Sequence, residues 1–278
     1  MIPPSVSEFI KKALEEDIGH GDITTMCTID EATEAEAVVF AKEDMIVAGM
    51  PFFREVFKVL DTSVTVDVLA DEGTAVQKGD KIAIVRGKTV SLLTGERLAL
   101  NLIQRLSGIA TLTAKFVSQV KDLPVKILDT RKTTPNMRYM EKYAVTMGGG
   151  ANHRFGLYDG VLIKDNHIKA AGGITKAVAR AKNTPFLTKT EVEVKTLAQL
   201  DEALSCGVDA VMLDNMDIEQ MKEAVGVIRA KSGSVVTEAS GNVKLENVRA
   251  IAGTGVDVIS TGFITHSAQA VDISMKIM

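Results

Sequence analysis

The sequence predicts an α/β protein in two parts, a small N-terminal α+β unit followed by a parallel sheet closed into a barrel. Three observations lead there. At 278 residues the chain is long enough for one α/β barrel with a small extra domain. Between Glu34 and Arg86, strand-like runs pair around turns before any βαβ rhythm begins, which marks a separate α+β unit. After Pro124 six apolar runs (VKILD, GVLIK, TEVEV, DAVMLD, SVVTEAS and VDVIST) alternate with amphipathic helical stretches. Repeats of roughly 20 to 30 residues of this kind are the signature of a parallel barrel.

Taken in order, Ser5 is placed to cap a helix whose Val6, Phe9, Ile10, Ala13 and Leu14 recur at helical spacing, and Gly19 and Gly21 end it. AEAVVFAKEDMIVAG, SVTVDVLADEG and KIAIVRG read as strands, with PFFREVFKVL as a helix among them. VLADEGTAVQKGDKIAIVRG resembles a biotinyl or lipoyl hammerhead, but no lysine follows at a hairpin tip in the right context, so it is taken as structural. Residues 94–121 have helical periodicity, with Ser107-Gly108 as the expected break and Arg97 and Arg105, eight residues apart, as expected solvated helix charges. The domains are accordingly expected at 1–107 and 108–278, and the tail HSAQAVDISMKIM (266–278) as an amphipathic helix packing back onto the first.

Charge is distributed unevenly. The whole chain carries a formal −4, yet Lys126–Lys182 holds eleven Lys or Arg against four Asp or Glu, a local +7. Within it Arg131 and Lys132 follow KILDT, His153 and Arg154 follow a triple glycine, and Lys164 closes GVLI. Side chains at the ends of parallel strands converge on the cleft where α/β folds keep their ligands. Close cations repel by roughly 3 to 4 kcal/mol per pair at an effective dielectric of about 20, so a pocket that gathers several is built for a polyanion. The acidic total and scarce aromatics argue against nucleic acid, and no apolar run approaches the roughly 20 residues of a membrane span. Cys27 and Cys206, far apart and in no C-x-x-C, are expected as buried hydrophobes in a reducing cytosol.

Closure of the repeats would bring Glu193, Asp214, the Ser240–Gly241–Asn242 turn and the Ser260–Thr261–Gly262 turn to the same face as the cations. Gly-containing turns after the last strands are where barrels bind phosphate. Glu193 and Asp214 suit Mg²⁺ carried in on substrate phosphates, or serve to neutralise the cations. His20, His167 and His266 are expected as ordinary hydrogen-bonding residues.

Several motifs together, ERLALNLIQRLSGIAT, DTRKTTP, KYAVTMGGGANHRFGLYDGVLIKDNHI, EVEV, VMLDNM, EASGNV and GVDVISTGFITHS, resemble quinolinate phosphoribosyltransferases over nearly the whole chain. The resemblance implies an open-faced α+β sandwich plus an incomplete, seven-stranded α/β barrel. It implies the substrates quinolinate and phosphoribosyl pyrophosphate, Mg²⁺ carried with the latter, and no tightly bound organic cofactor. By similarity Arg131, His153, Arg154 and Lys164 hold the dicarboxylate, and Lys132 lies near the pyrophosphate. Glu193 and Asp214 face the ribose and metal, and Ser240, Gly241, Asn242 and the Ser260–Gly262 turn hold the 5-phosphate. Arg97 reaches the site of a neighbouring subunit, making a cytoplasmic dimer the smallest active unit, with hexamers left open. The chain departs from the family pattern at Asn136, where Gly is usual, at Lys195-Thr196, and at Asn242, where a second Gly is frequent. Two other functions compete: a barrel aldolase forming a Schiff base on Lys164, and a metabolite sensor without turnover.

Overall fold

The computed structural model describes residues 2–185 and 187–278. Its elements run α1 (Pro4–Ile18), α2 (Ile23–Thr28), β1 (Glu34–Ala41), β2 (Met45–Ile46), α3 (Met50–Leu60), β3 (Thr65–Val68), β4 (Ala75–Val76), β5 (Lys81–Lys88) and α4 (Thr89–Val120). They continue as β6 (Lys126–Leu128), α5 (Arg138–Met147), β7 (Val161–Ile163), α6 (Asp165–Ala171), α7 (Ile174–Ala181), β8 (Thr190–Val194), α8 (Leu197–Ser205), β9 (Ala210–Asp214), α9 (Ile218–Lys231), β10 (Val236–Ser240), α10 (Val248–Ala252), β11 (Val258–Ser260), α11 (Phe263–His266) and β12 (Ile273–Ile277). Two compact units result, Met1–Ala114 with Thr134–Gly149 and Ser267–Met278, and Lys115–Thr133 with Gly150–His266. Among the described residues no helix is long and apolar enough to cross a membrane.

The first unit is built on an antiparallel sheet in the order β12-β1-β5-β3. Strand alternation separates its faces: Ala37, Val39 and Ala41 of β1 and Ile273 and Met275 of β12 are buried, whereas on the other face Arg86 bridges Glu36 and Asp67 across three strands. Helix α1 starts on Pro4 after Pro3, with no cap from Ser5, and packs its Val6, Ile10 and Leu14 stripe against α3. Helix α3 buries Phe52, Phe53, Val56 and Phe57, worth roughly 1.5 to 3 kcal/mol each. Its first N–H groups, those of Gly49 and Met50, donate to the Glu72 carboxylate at 2.9 and 2.6 Å.

Several expectations fail in this unit. Helix α4 runs unbroken through Ser107-Gly108, where a break was expected. Gly108 is small because a Cβ there would lie 2.0 Å from the Gln269 carbonyl oxygen, and Ser107 Oγ exchanges hydrogen bonds with the Ala48 backbone. Arg105 is not a solvated charge: it donates to Glu141, which is fully buried, at 3.0 Å and to the Ala268 carbonyl at 2.6 Å. The tail is not a helix. Val271, Ile273 and Met275 are buried in strict alternation, and β12 pairs with β1 from Ala41↔Ile273 to Ala37↔Ile277. Cys27, expected to be buried, is exposed, and in the second unit Cys206 is half-buried.

The second unit carries the barrel sheet, six parallel strands in the order β6-β11-β10-β9-β8-β7. All six are the strands expected from the apolar runs. Beyond β6, Leu128 makes one parallel bridge to Ala151, a seventh strand reduced to a single residue, and among the described residues the sheet is open between Ala151 and β7. Register assigns the faces: Glu193 neighbours Met212, Met212 neighbours Glu238, and Ser240 neighbours Asp214 on one side and Ser260 on the other. Val192, Val194, Val211, Leu213, Ala239 and Ile259 alternate with these and are fully buried on the opposite, helix-covered face. The interior of this barrel is therefore charged and hydroxylated where barrels are ordinarily apolar.

Candidate active site

At the carboxyl end of the barrel strands lies a cavity of about 640 Å³. The turn after β6 contributes Thr130, Arg131 and Lys132, and the segment after the Ala151 bridge contributes His153 and Arg154. Lys164 comes from the end of β7, Asp214 and Asn215 from β9, Ser240–Lys244 from β10, and Ser260–Phe263 with His266 from β11. Every candidate residue of the barrel lines this cavity except Glu193. Glu193 stands beside it on β8, 8% exposed, its Oε2 3.1 Å from Lys164 Nζ. Arg97, on α4, is exposed, with Glu96 3.9 Å away.

The cations are held in place by the segments that carry them. Arg154 donates to the Gly160 carbonyl at 2.9 Å, and Asp159 accepts the Phe155 N–H at 2.8 Å, folding the loop between them. Burial, and then the charge of Arg131, pull the Arg154 guanidinium below its ordinary pKa. Cations crowded in this way gain from any anion that enters. Thr265 Oγ1 donates to the Lys132 carbonyl at 2.8 Å.

Beneath the cations is a buried acid–imidazole triad. His153 Nε2 lies 3.3 Å from Glu191 Oε2 and 3.3 Å from Glu238 Oε2. The His153 N–H donates to Asp129, which is fully buried, at 2.9 Å, and the Arg154 N–H donates to His153 Nδ1 at 2.7 Å. An accepting Nδ1 leaves the ring proton on Nε2, between the carboxylates. Burial opposes charging the ring, but the two carboxylates more than reverse it and push its pKa up to about 9. A second proton, on Nδ1, would have to displace the Arg154 N–H, so backbone and carboxylates pull in opposite directions. Glu191 is itself pushed up by burial, although His153 pulls the other way. With a proton on Nε2 the three groups form an ion-pair and hydrogen-bond cluster, not a ready metal site, although their ligand atoms lie within 4.8 Å of one another.

The opposite rim is a cradle of tight turns. Gly241 has φ 94, and a Cβ there would fall 2.3 Å from Asn215 Oδ1. Asn242 Nδ2 donates to Asn215 Oδ1 at 3.1 Å, and Asn247 Nδ2 donates to the Asn242 carbonyl at 3.0 Å. Asn242 (φ 48) and Asn136 (φ 63) are left-handed, which explains why asparagine, the residue other than glycine that best tolerates this conformation, stands at these two of the three departures from the family pattern. Gly262 is equally confined: a Cβ would meet Lys132 Cδ at 2.8 Å and His266 Cδ2 at 3.0 Å.

Residues 22–107 match the family model described as the N-terminal domain of quinolinate phosphoribosyl transferase, and residues 109–276 match its C-terminal domain. The chain belongs to the quinolinate phosphoribosyltransferase family. It is 45% identical to a probable nicotinate-nucleotide pyrophosphorylase (carboxylating) of Synechocystis sp., covering 100% of this chain and 95% of that one. It is 46% identical to a protein of the same printed name from Bacillus subtilis, over 94% of this chain and 90% of that one. The solved structure of the nicotinate-nucleotide pyrophosphorylase from Francisella tularensis superposes with a TM-score of 0.95 at 42% identity, covering 100% of this chain and 98% of that chain.

Within this quinolinate phosphoribosyltransferase fold, sequence reasoning missed Glu191, Glu238 and His266. TEVEV did carry a signal for the first, since Glu191 and Glu193 are two apart on one strand face and alternate with valines that are fully buried. His266 was expected to be unremarkable and lines the cavity, its ring edge-on to Phe263 at 6.3 Å. His167 is an ordinary hydrogen-bonding residue, its Nδ1 accepting the Lys164 N–H at 2.9 Å.

Proposed function

We propose that this protein transfers the phosphoribosyl group of phosphoribosyl pyrophosphate to the ring nitrogen of quinolinate with loss of CO₂, giving nicotinate mononucleotide and pyrophosphate. The observation that carries this is the set of five basic side chains, Arg131, Lys132, His153, Arg154 and Lys164, around one cavity. A pyridine dicarboxylate and a phosphorylated sugar pyrophosphate together supply the negative charge such a pocket lacks.

In this scheme Arg131 and Arg154 hold the two carboxylates, with Lys164 at their edge, and His153, its ring nitrogens engaged by Glu191, Glu238 and the Arg154 N–H, fixes the Arg154 backbone and lends positive charge to that end. Lys132 faces the pyrophosphate, and Ser240, Gly241, Asn242 and the Ser260–Gly262 turn hold the 5-phosphate. The pyridine nitrogen attacks the anomeric carbon as the carbon–oxygen bond to pyrophosphate breaks and positive charge builds on the sugar. The ring nitrogen becomes cationic; the carbon–carbon bond to the adjacent carboxylate then breaks, its electron pair stays on the ring carbon beside that nitrogen, and a proton fills the vacancy. The protein's part is positioning and electrostatics.

Asp214 suits Mg²⁺ because it lines the cavity as a carboxylate, and this ion takes one or two carboxylates with substrate phosphates and water. Glu193 suits it less, since its Oε2 is occupied by Lys164; we assign Glu193 the task of orienting that lysine. When bound, the ion offsets charge on the departing pyrophosphate. A homodimer in which Arg97 enters the partner's cavity completes the proposal, with the cytosol as its location. The aldolase alternative is disfavoured because Lys164 is an ion-paired ammonium with its side chain 46% exposed, not a desolvated amine. Borohydride trapping with a carbonyl compound should give no adduct. The deciding experiment supplies quinolinate, phosphoribosyl pyrophosphate and Mg²⁺ and follows CO₂ and the mononucleotide, with nicotinate as control. Absence of CO₂, or equal turnover of nicotinate, would refute the proposal.

A further inference from the structure

We propose that Glu238 is a positioning residue that holds both ends of the substrate cavity at once, His153 at the dicarboxylate end and Ser240, through Ser260, at the phosphate end. The inference rests on the reaction proposed above. Glu238 sits at the middle of β10, 2% exposed, with Ser260 likewise 2% exposed beside it. Its Oε1 accepts the Ser260 hydroxyl at 2.5 Å, and its Oε2 lies 3.3 Å from His153 Nε2. Ser260 Oγ and Ser240 Oγ are 3.1 Å apart. A serine has one hydroxyl proton. Ser260 directs its own to the carboxylate at 2.5 Å, with Ser240 Oγ as a second, more distant acceptor at 3.1 Å, so the Ser240 proton stays available to an anion. His153 is fixed in the same way, since the Arg154 N–H on Nδ1 leaves only Nε2 to donate. Ser260 and His153 therefore both donate toward Glu238, one from each end of the cavity.

Only a carboxylate satisfies this arrangement, because it accepts on both oxygens. A glutamine at 238 offers one acceptor and one donor, and either orientation is frustrated. With its oxygen toward Ser260, its NH₂ meets the Nε2 proton, and the imidazole escapes only by moving that proton to Nδ1, against the Arg154 N–H. With its oxygen toward His153, its NH₂ donates to Ser260 Oγ, and the Ser260 proton turns wholly toward Ser240 Oγ, pulling the two hydroxyls of the phosphate turn out of their present arrangement. Glu238→Gln therefore disturbs both rims while keeping size and shape.

The experiment measures, by calorimetry on the full chain, the affinity for quinolinate and separately for ribose 5-phosphate, alongside the melting temperature. Glu238→Gln is expected to weaken both ligands about five- to thirtyfold, the range that loss of one well-formed hydrogen bond at each rim implies. Ser260→Ala is expected to weaken ribose 5-phosphate alone and His153→Gln quinolinate alone. A residue that merely stabilised the fold would lower the melting temperature and the active fraction without changing the affinity of the molecules still folded. Wild-type affinity for either ligand in folded Glu238→Gln overturns the inference. Should that variant not fold, an unchanged ribose 5-phosphate affinity in Ser260→Ala overturns it. Failure of the wild-type protein to bind either ligand would strike the proposed reaction itself, which separates the two.

Discussion

The pH dependence of the His153 triad gives the sharpest test of the site's electrostatics. Two carboxylate oxygens, each 3.3 Å from Nε2, push the ring from 6.5 up to about 9 against its burial. A group whose folded pKa is raised contributes stability that is complete below its unfolded pKa and is lost as pH rises through the folded one. For His153 that window runs from 6.5 to about 9. The rise is equivalent to a ceiling of about 3 kcal/mol, most of which would remain at pH 7. Two features lower the expected value. The side chain keeps 16% of its exposure, so solvent screens part of the attraction. The Arg154 N–H, 2.7 Å from Nδ1, resists the second proton. We therefore expect about 1 to 2 kcal/mol at pH 7.

The assay is urea unfolding of the wild-type protein and of His153→Gln between pH 7 and pH 10. The substituted glutamine can still offer a hydrogen bond but never a charge, so subtracting its profile cancels the other titrations that the two proteins share. The wild-type advantage should shrink steadily across the interval and vanish near pH 10. A difference that stays flat, or grows with pH, would show that the carboxylates do not charge this ring and would remove the electrostatic account of the triad.

Other substitutions test other links. Gly108→Ala should cost about 3 kcal/mol, because its Cβ would meet a carbonyl oxygen and shift backbone, whereas Gly226→Ala, at an exposed position of α9 with nothing within 4 Å, should stabilise by about 0.5 to 1 kcal/mol; thermal unfolding distinguishes them. Arg105→Met strands the fully buried Glu141 and should cost about 3 to 5 kcal/mol, most of it recovered in Arg105→Met/Glu141→Gln; equal stability of the two variants would contradict the pairing. Asn242→Val puts a β-branched residue at φ 48 and should cost about 1 to 2 kcal/mol in denaturant melts, while Asn242→Gly should be near neutral.

The barrel was legible because each strand is bounded locally by its own turns, and six apolar runs translate into six strands without knowledge of partners. The tail shows where local information ends. VDISMKI alternates as a strand should, yet a strand needs a neighbour, and its neighbour β1 lies more than 200 residues earlier. Ser107-Gly108 misled for the same reason: the glycine accommodates the approach of Gln269, which only the folded chain reveals. In the site, cations at strand ends stood out because they interrupt the pattern. Glu238 did not, because one acid inside SVVTEAS could equally face solvent; that it points into the barrel follows from the register with Met212 and Val258.

Placing the acids below and the cations above solves a problem that neither set solves alone. Five basic groups around an empty cavity repel one another, and a pocket neutralised by carboxylates at its mouth would turn its substrates away. Glu193 holds Lys164 at 3.1 Å from beside the cavity, and Glu191 and Glu238 flank the imidazole, so these acids offset part of the positive charge while Asp214 lines the cavity itself. The charge of Arg131 is felt at Arg154, where Glu191 and Asp159 offset it in part, and an entering anion would relieve it further. The buried carboxylates thus offset repulsion among the basic groups of the unliganded protein. Moving one acid to the rim should reverse this: Thr130→Glu, on the cavity wall next to Arg131, should weaken dicarboxylate binding at least tenfold in low salt and less in high salt, because the introduced charge competes at the surface where screening acts.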